Sequence, residues 1–120
     1  MCESLSIWSD SHGKRTKMNL IAVYIPCKDK EEAKKITKHL LDKKLIACAG
    51  MWPIESFYMW KGELRNDKEY TILAKSTDEK FEDMKKEIKG IHSYEIPAIV
   101  KFKIETNEDY EKWLTNEVNQ

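Results

Sequence analysis

Paired cysteines are absent from this chain. It has three in 120 residues, Cys2, Cys27 and Cys48, and no CxxC spacing. An odd count without paired spacing excludes a disulfide framework and a zinc ribbon. A reducing compartment, the cytoplasm, is the setting expected from it. Net charge is also missing, with 21 basic residues set against 21 acidic ones. Nucleic-acid binders carry a basic excess on at least one face, because phosphate contacts dominate their affinity, so no nucleic-acid partner is expected. No run of 18 apolar residues exists, which removes a membrane-spanning helix. There is no GxSxG, no P-loop and no HExxH, and the three histidines stand without a partner motif. The chain reads as something other than an enzyme.

What is present is concentrated in Ser56-Phe57-Tyr58-Met59-Trp60-Lys61-Gly62. Alternation puts Phe57 and Met59 on one face of an extended strand, and Tyr58 and Trp60 on the other. A strand with two apolar faces needs cover twice, between layers of one domain or under a neighbouring subunit. Elsewhere Lys and Glu alternate closely, as on solvated helix faces.

Residues 1–17 are polar and Ser-rich, with Leu5, Ile7 and Trp8 as the large apolar residues. They lack the apolar stretch of a signal peptide. They read as a flexible extension, with Met18 as a possible native start and residues 18–120 as the one domain that this length accommodates.

Leu20 to Ile25 is continuously apolar, as expected of a central strand covered on both faces. Asp29 and Glu32 have the spacing of a capping box, opening an amphipathic helix to about Lys43 with Ala33, Ile36, Leu40 and Leu41 inside. Leu45–Met51 returns to strand character. Pro53 predicts a bulge or bend before the aromatic block, and Gly62 marks a second bulge. Arg65-Asn66-Asp67-Lys68 reads as the hairpin turn, with Glu69–Ala74 as the returning strand. Ser76 and Glu79 form another capping pair for a helix burying Phe81, Met84 and Ile88, and Gly90 is its expected left-handed cap. Ala98–Ile104 is a last strand with one wet face. A final helix carries Tyr110, Trp113, Leu114 and Val118, with Tyr110 and Trp113 expected against the otherwise bare sheet. The order β-α-β-β-α-β plus a helix predicts an α+β fold, the ferredoxin-like split β-α-β sandwich with an antiparallel sheet.

Five motifs then resemble one family. They are Leu45-Ile46-Ala47-Cys48-Ala49, Phe57 to Leu64, Ile72 to Ser76, His92-Ser93-Tyr94-Glu95-Ile96-Pro97 with its neighbours, and Asp109 to Leu114. Their order and spacing resemble the CutA divalent-cation tolerance proteins over roughly residues 19–118. The resemblance implies a tight homotrimer whose neighbouring subunits extend each other's sheets. It also implies metal binding, copper or another divalent ion, and a part in metal tolerance. Cys48-Ala49-Gly50 stands where the family has Cys-Val-Asn, His92-Ser93-Tyr94 where it has His-Pro-Tyr, and Lys75-Ser76 where it has Lys-Thr. The missing proline relaxes the loop beside the histidine.

Carried over from the resemblance, the metal ligands are His92, Glu95 and Cys27, residue types that suit copper or zinc. The plainer reading makes His92 and Glu95 polar loop residues at a subunit boundary. Cys48, beside Ala47 and Ala49, reads as a small buried hydrophobe. Tyr58, Trp60, Glu63, Lys75 and Tyr94 are candidates for an inter-subunit pocket, which is the alternative function: a trimeric effector sensor of the PII or ACT kind. An unrecognised enzyme would have to be built on Lys75 with Glu63 or Glu95.

Overall fold

The structure, a computed structural model, describes residues 19–119. The expected extension over residues 1–17, and Met18, lie outside the described residues. Eight residues, Leu20–Cys27, form β1, and Lys30–Asp42 form α1. A long hairpin follows, β2 (Cys48–Trp60) and β3 (Glu63–Thr77). A single 3-10 turn, Asp78–Lys80, leads into α2 (Phe81–Ile91), then β4 (Val100–Ile104) and α3 (Glu108–Val118). The sheet order is β2-β3-β1-β4, and every neighbouring pair is antiparallel. That order is the split β-α-β arrangement expected from the sequence.

β1 is central because its side chains are apolar in both directions. Ile21, Val23, Ile25 and Cys27 are wholly buried on the face that α1 and α2 cover. They pack with Ala33, Ile36 and Leu40 of α1 and Met84 and Ile88 of α2. Leu41, expected inside, is 40% exposed. Leu20 and Ala22 point the other way and are buried as well. There α3 lies on the second face, with Leu114 and Val118 wholly buried. Tyr110 packs down, whereas Trp113 stays 43% exposed and touches Tyr110, ring centre to ring centre at 5.6 Å.

Strand β4 begins at Val100, two residues later than expected. Its register pairs Lys101 with Val23 and Lys103 with Ile21, so the lysines share the helix side. Lys101 reaches Asp78 at 2.5 Å and lies 4.8 Å over the Phe81 ring. The apolar residues Val100 and Phe102 face the second side and remain largely exposed. An edge strand lets lysine heads snorkel past the helix to water, so the apolar set takes the open face.

The hairpin differs most from the sequence reading. No bulge interrupts it: pairing runs unbroken from Cys48↔Lys75 to Trp60↔Glu63, with Pro53 opposite Tyr70. Proline is tolerated because β2 is an edge strand. The turn is Lys61-Gly62, at φ 51° and 81°, the two-residue left-handed geometry whose twist matches a hairpin. Arg65 to Lys68 therefore lie inside β3, and Gly62 makes the turn instead of a bulge. Gly90 sits within α2 and has no positive φ, so it is no left-handed cap. Ser76 is no cap either; its hydroxyl donates to the Leu45 carbonyl at 2.7 Å from inside β3. The left-handed cap that does form is Lys44, after α1, with φ 60°.

β1 meets β3 only from Tyr70 to Thr77, so the rest of the hairpin projects as a two-stranded arm. The molecule is accordingly 54 Å long and 29 by 22 Å across. Phe57, Met59 and Leu64 on this arm are each about two-thirds exposed, at 65%, 64% and 70%.

These backbone assignments are tested by two alanines. A Cβ at either position would meet nothing within 4 Å, so backbone preference alone decides. Gly62→Ala should cost about 1 kcal/mol through its left-handed φ. Gly90→Ala should stabilise by roughly 0.5–1 kcal/mol, as in a helix interior. Urea unfolding measures both, and a destabilising Gly90→Ala would contradict the helical assignment.

Candidate functional site

The end of β1, the start of α1 and the segment after α2 converge on one buried cluster. Asp29 caps α1, its Oδ1 accepting the Glu32 amide at 2.9 Å. A complete capping box would return Glu32 to the Asp29 amide. Glu32 instead reaches one residue further, where Oε1 accepts from Lys28 N at 2.9 Å. Its Oε2 accepts from Ser93 N at 2.7 Å, across the fold. His92 ends α2 and its side chain is wholly buried. Nε2 donates to the Pro26 carbonyl at 2.9 Å, which assigns the proton to that nitrogen. Nδ1 then accepts from Tyr94 N at 3.1 Å and lies 3.9 Å from Glu32 Oε2.

Cys27 completes the group. One donor atom each from Cys27, Glu32 and His92 fall within 4.8 Å of one another. Burial, reinforced by the negative charges of Glu32, Glu69 and Asp29, pushes the Cys27 thiol up to about 12. It is therefore a thiol at neutral pH, donating to the Ile25 carbonyl at 3.6 Å. For Glu32, burial favours the neutral form, but the amides of Lys28 and Ser93, with His92 nearby, outweigh it and lower its pKa. Sulfur, carboxylate and imidazole are the donor set of borderline and soft transition ions.

The structure thus joins two of the three expected ligands and replaces the third. Glu95 is exposed and belongs to a neighbouring cavity; Glu32 takes its place. Its capping spacing was visible in the sequence, and that local role accounted for it so well that nothing pointed to His92, sixty residues away.

The neighbouring cavity, of about 640 Å³, opens between the arm and the loop from Ser93 to Ala98. Of the expected pocket residues, Tyr58, Trp60 and Tyr94 line it, whereas Glu63 and Lys75 do not. Lys75 pairs across the strands with Cys48, at the far end of β3 from Glu63, and its ammonium lies 5.8 Å from the Tyr110 ring centre. Extended β3 keeps these two apart, so one chain does not assemble the Lys75–Glu63 pair. Cys48 is half-buried and shares a 3.1 Å hydrogen bond with the Tyr110 phenol. That bond, with burial, pushes the phenol up to about 12.

An antiparallel four-stranded α+β sandwich with a projecting hairpin arm and a buried Cys-Glu-His cluster defines the class. The family model described as CutA1 divalent ion tolerance protein matches residues 21–117. The divalent-cation tolerance protein CutA of Pyrococcus horikoshii is 39% identical over 102 residues, covering 84% of this chain and all of that protein. That of Thermotoga maritima is 40% identical over 100 residues, covering 82% and 99%. The crystal structure of CutA1 from Pyrococcus horikoshii superposes with a TM-score of 0.78 at 40% identity, over 81% of this chain and 96% of that one. The chain belongs to the CutA1 divalent ion tolerance family.

Glu32 should carry a pH signature. Its lowered folded pKa means that its stabilisation is complete above the ordinary carboxyl pKa of about 4.3 and is lost as pH falls through the lower folded value. Glu32→Gln is expected to lose about 1–3 kcal/mol at neutral pH and less in acid. Urea unfolding at the two pH values measures this. An equal loss at both would show that its charge is not what holds the loop.

Proposed function

We propose that this chain is a homotrimeric, cytoplasmic metal-binding protein that takes up a transition-metal ion, copper first, at Cys27, Glu32 and His92. The residues 1–17 are then an extension outside the 18–120 domain. One observation carries the metal reading. His92 gives its Nε2 proton to a backbone carbonyl, which leaves Nδ1 unprotonated, an acceptor for the Tyr94 amide 3.9 Å from the Glu32 carboxylate in a cluster that includes the Cys27 thiol. Metal-binding histidines are held in the same way, with one nitrogen fixed by a carbonyl or carboxylate so that the other can ligate. The relatives' description as divalent-cation tolerance proteins agrees with it. Trimerisation is supported by the arm, whose apolar side chains lie exposed on both faces of a single chain. Among the described residues no helix is long and apolar enough to cross a membrane.

Metal uptake at this cluster must displace the Cys27 proton and the Tyr94 amide's hold on His92. Affinity should therefore rise steeply with pH, by about tenfold per unit while one proton is released. Anaerobic calorimetry with copper and zinc, in two buffers of different ionisation enthalpy, measures both affinity and proton release. Cys27→Ser and His92→Ala should each weaken binding by tenfold or more, about 1.4 kcal/mol. Unchanged copper affinity in His92→Ala would overturn the site.

The effector reading has an observation of its own, the 640 Å³ cavity beside the arm.

A further inference from the structure

The cavity beside the arm is built from aromatic rings around a buried anion. Tyr24 and Tyr58 line it with Trp60 and Tyr94. Glu69, from the root of the arm, is 8% exposed, more buried than any other residue of the lining. Its carboxylate is fixed at both oxygens. Ser56 Oγ donates to Oε1 at 2.5 Å, and the Tyr94 hydroxyl donates to Oε2. A carboxylate oxygen has two lone pairs, so each oxygen keeps one free for a further donor. Nearer the mouth Asp67 accepts from the Tyr58 hydroxyl, and Glu95 is exposed. Among the lining residues three carboxylates thus stand with one guanidinium, that of Arg65, which is exposed and screened by solvent; the exposed Lys61 ammonium, outside the lining, lies 5.7 Å from the Trp60 ring centre.

Burial, the bond to Glu69 and its charge together push the Tyr94 phenol pKa well above its ordinary value, so Tyr94 stays a donor and adds no negative charge. A buried carboxylate without a neighbouring cation is costly, and a cationic ligand would offset that cost. Aromatic faces attract the same ligand through their quadrupoles, most strongly when it is an organic ammonium that sheds water readily. A bare metal ion would instead need several oxygens converging at short range, whereas both oxygens of Glu69 are already engaged by hydroxyl donors and five of the fourteen lining residues are aromatic.

We propose that this cavity is a binding site for a small organic ammonium ion, with its charged head on Glu69 and its apolar body against Tyr58, Trp60 and Tyr94. The proposal rests on the effector-pocket reading; its ligand would touch neither Cys27, Glu32 nor His92, although Tyr94 borders both sites through its bonds to Glu69 and His92. It places on the arm a site whose ligand would report on the arm's packing, since Ser56, Tyr58, Trp60 and Glu69 all belong to it or to its root.

The test uses the full-length protein in its assembled form, titrated calorimetrically at neutral pH with three probes of one shape: benzylammonium, benzyl alcohol and benzoate. Benzylammonium should bind at least about tenfold more tightly than either of the others. Glu69→Gln keeps the shape and removes the charge, and it should weaken benzylammonium by a similar factor while leaving the binding of benzyl alcohol unchanged. Asp67→Asn, at the mouth, serves as the second variant if Glu69→Gln fails to fold, with a smaller loss expected. Equal binding of all three probes would overturn the cation assignment but leave a pocket. Binding of none at millimolar concentration would overturn the pocket reading itself, whatever the metal titrations give.

Discussion

Thirteen residues of β2 pair with β3, but β1 lends only eight residues to the other side of that hairpin. Among the described residues the sheet has no further strand to put beside the excess, and the helices stop with the core. Half of the hairpin is therefore held by its own ladder and by a two-residue turn. Isolated two-stranded ribbons are marginal in water, and this one exposes Phe57, Met59 and Leu64 besides. The mismatch in strand length sets the elongated shape, the cavity at the arm's root and the apolar faces left uncovered among the described residues.

A second constraint sits at the other end of β1. Glu32 is the first-turn residue of one helix, yet it also holds the segment that leaves the other, through the Ser93 amide. His92 returns the tie through the Pro26 carbonyl. Both β-α-β crossovers are thereby closed on one buried knot. The same atoms form a nitrogen, oxygen and sulfur donor set, so a metal ion and the hydrogen bonds compete for Nδ1 of His92. With a thiol whose pKa is raised to about 12, the proposed metal uptake would be a coupled event of binding, proton release and loop adjustment.

Elements with a strong local period were legible in the sequence. The continuous apolar run of β1 and the stripes of α1 and α2 fall where expected, because burial of one face decides them. The hairpin was misread where two chemistries competed. Arg65-Asn66-Asp67-Lys68 has turn composition, but Lys61-Gly62 has the backbone freedom, and pairing with Ser56 and its neighbours keeps Asp67 and its flanks extended. Gly90 has the residue type of a left-handed helix cap, yet α2 runs through it to Ile91. At the cluster, Cys27 and His92 are expected from the family resemblance, whereas the place of Glu32 beside them requires the fold. Its partner lies 61 residues away, and no local pattern records such a contact. Lys75 lies at the end of β3 opposite Glu63, so within a single chain it does not reach the cavity that Trp60 lines.

The central claim is that the arm's uncovered apolar faces are closed by other copies of this chain. Light scattering coupled to size exclusion, run over a wide dilution range on full-length protein, tests it without a ligand or a variant. The expected result is a mass three times the 14.2 kDa of one chain, persisting on dilution. A stable species of one chain's mass at all concentrations would contradict it.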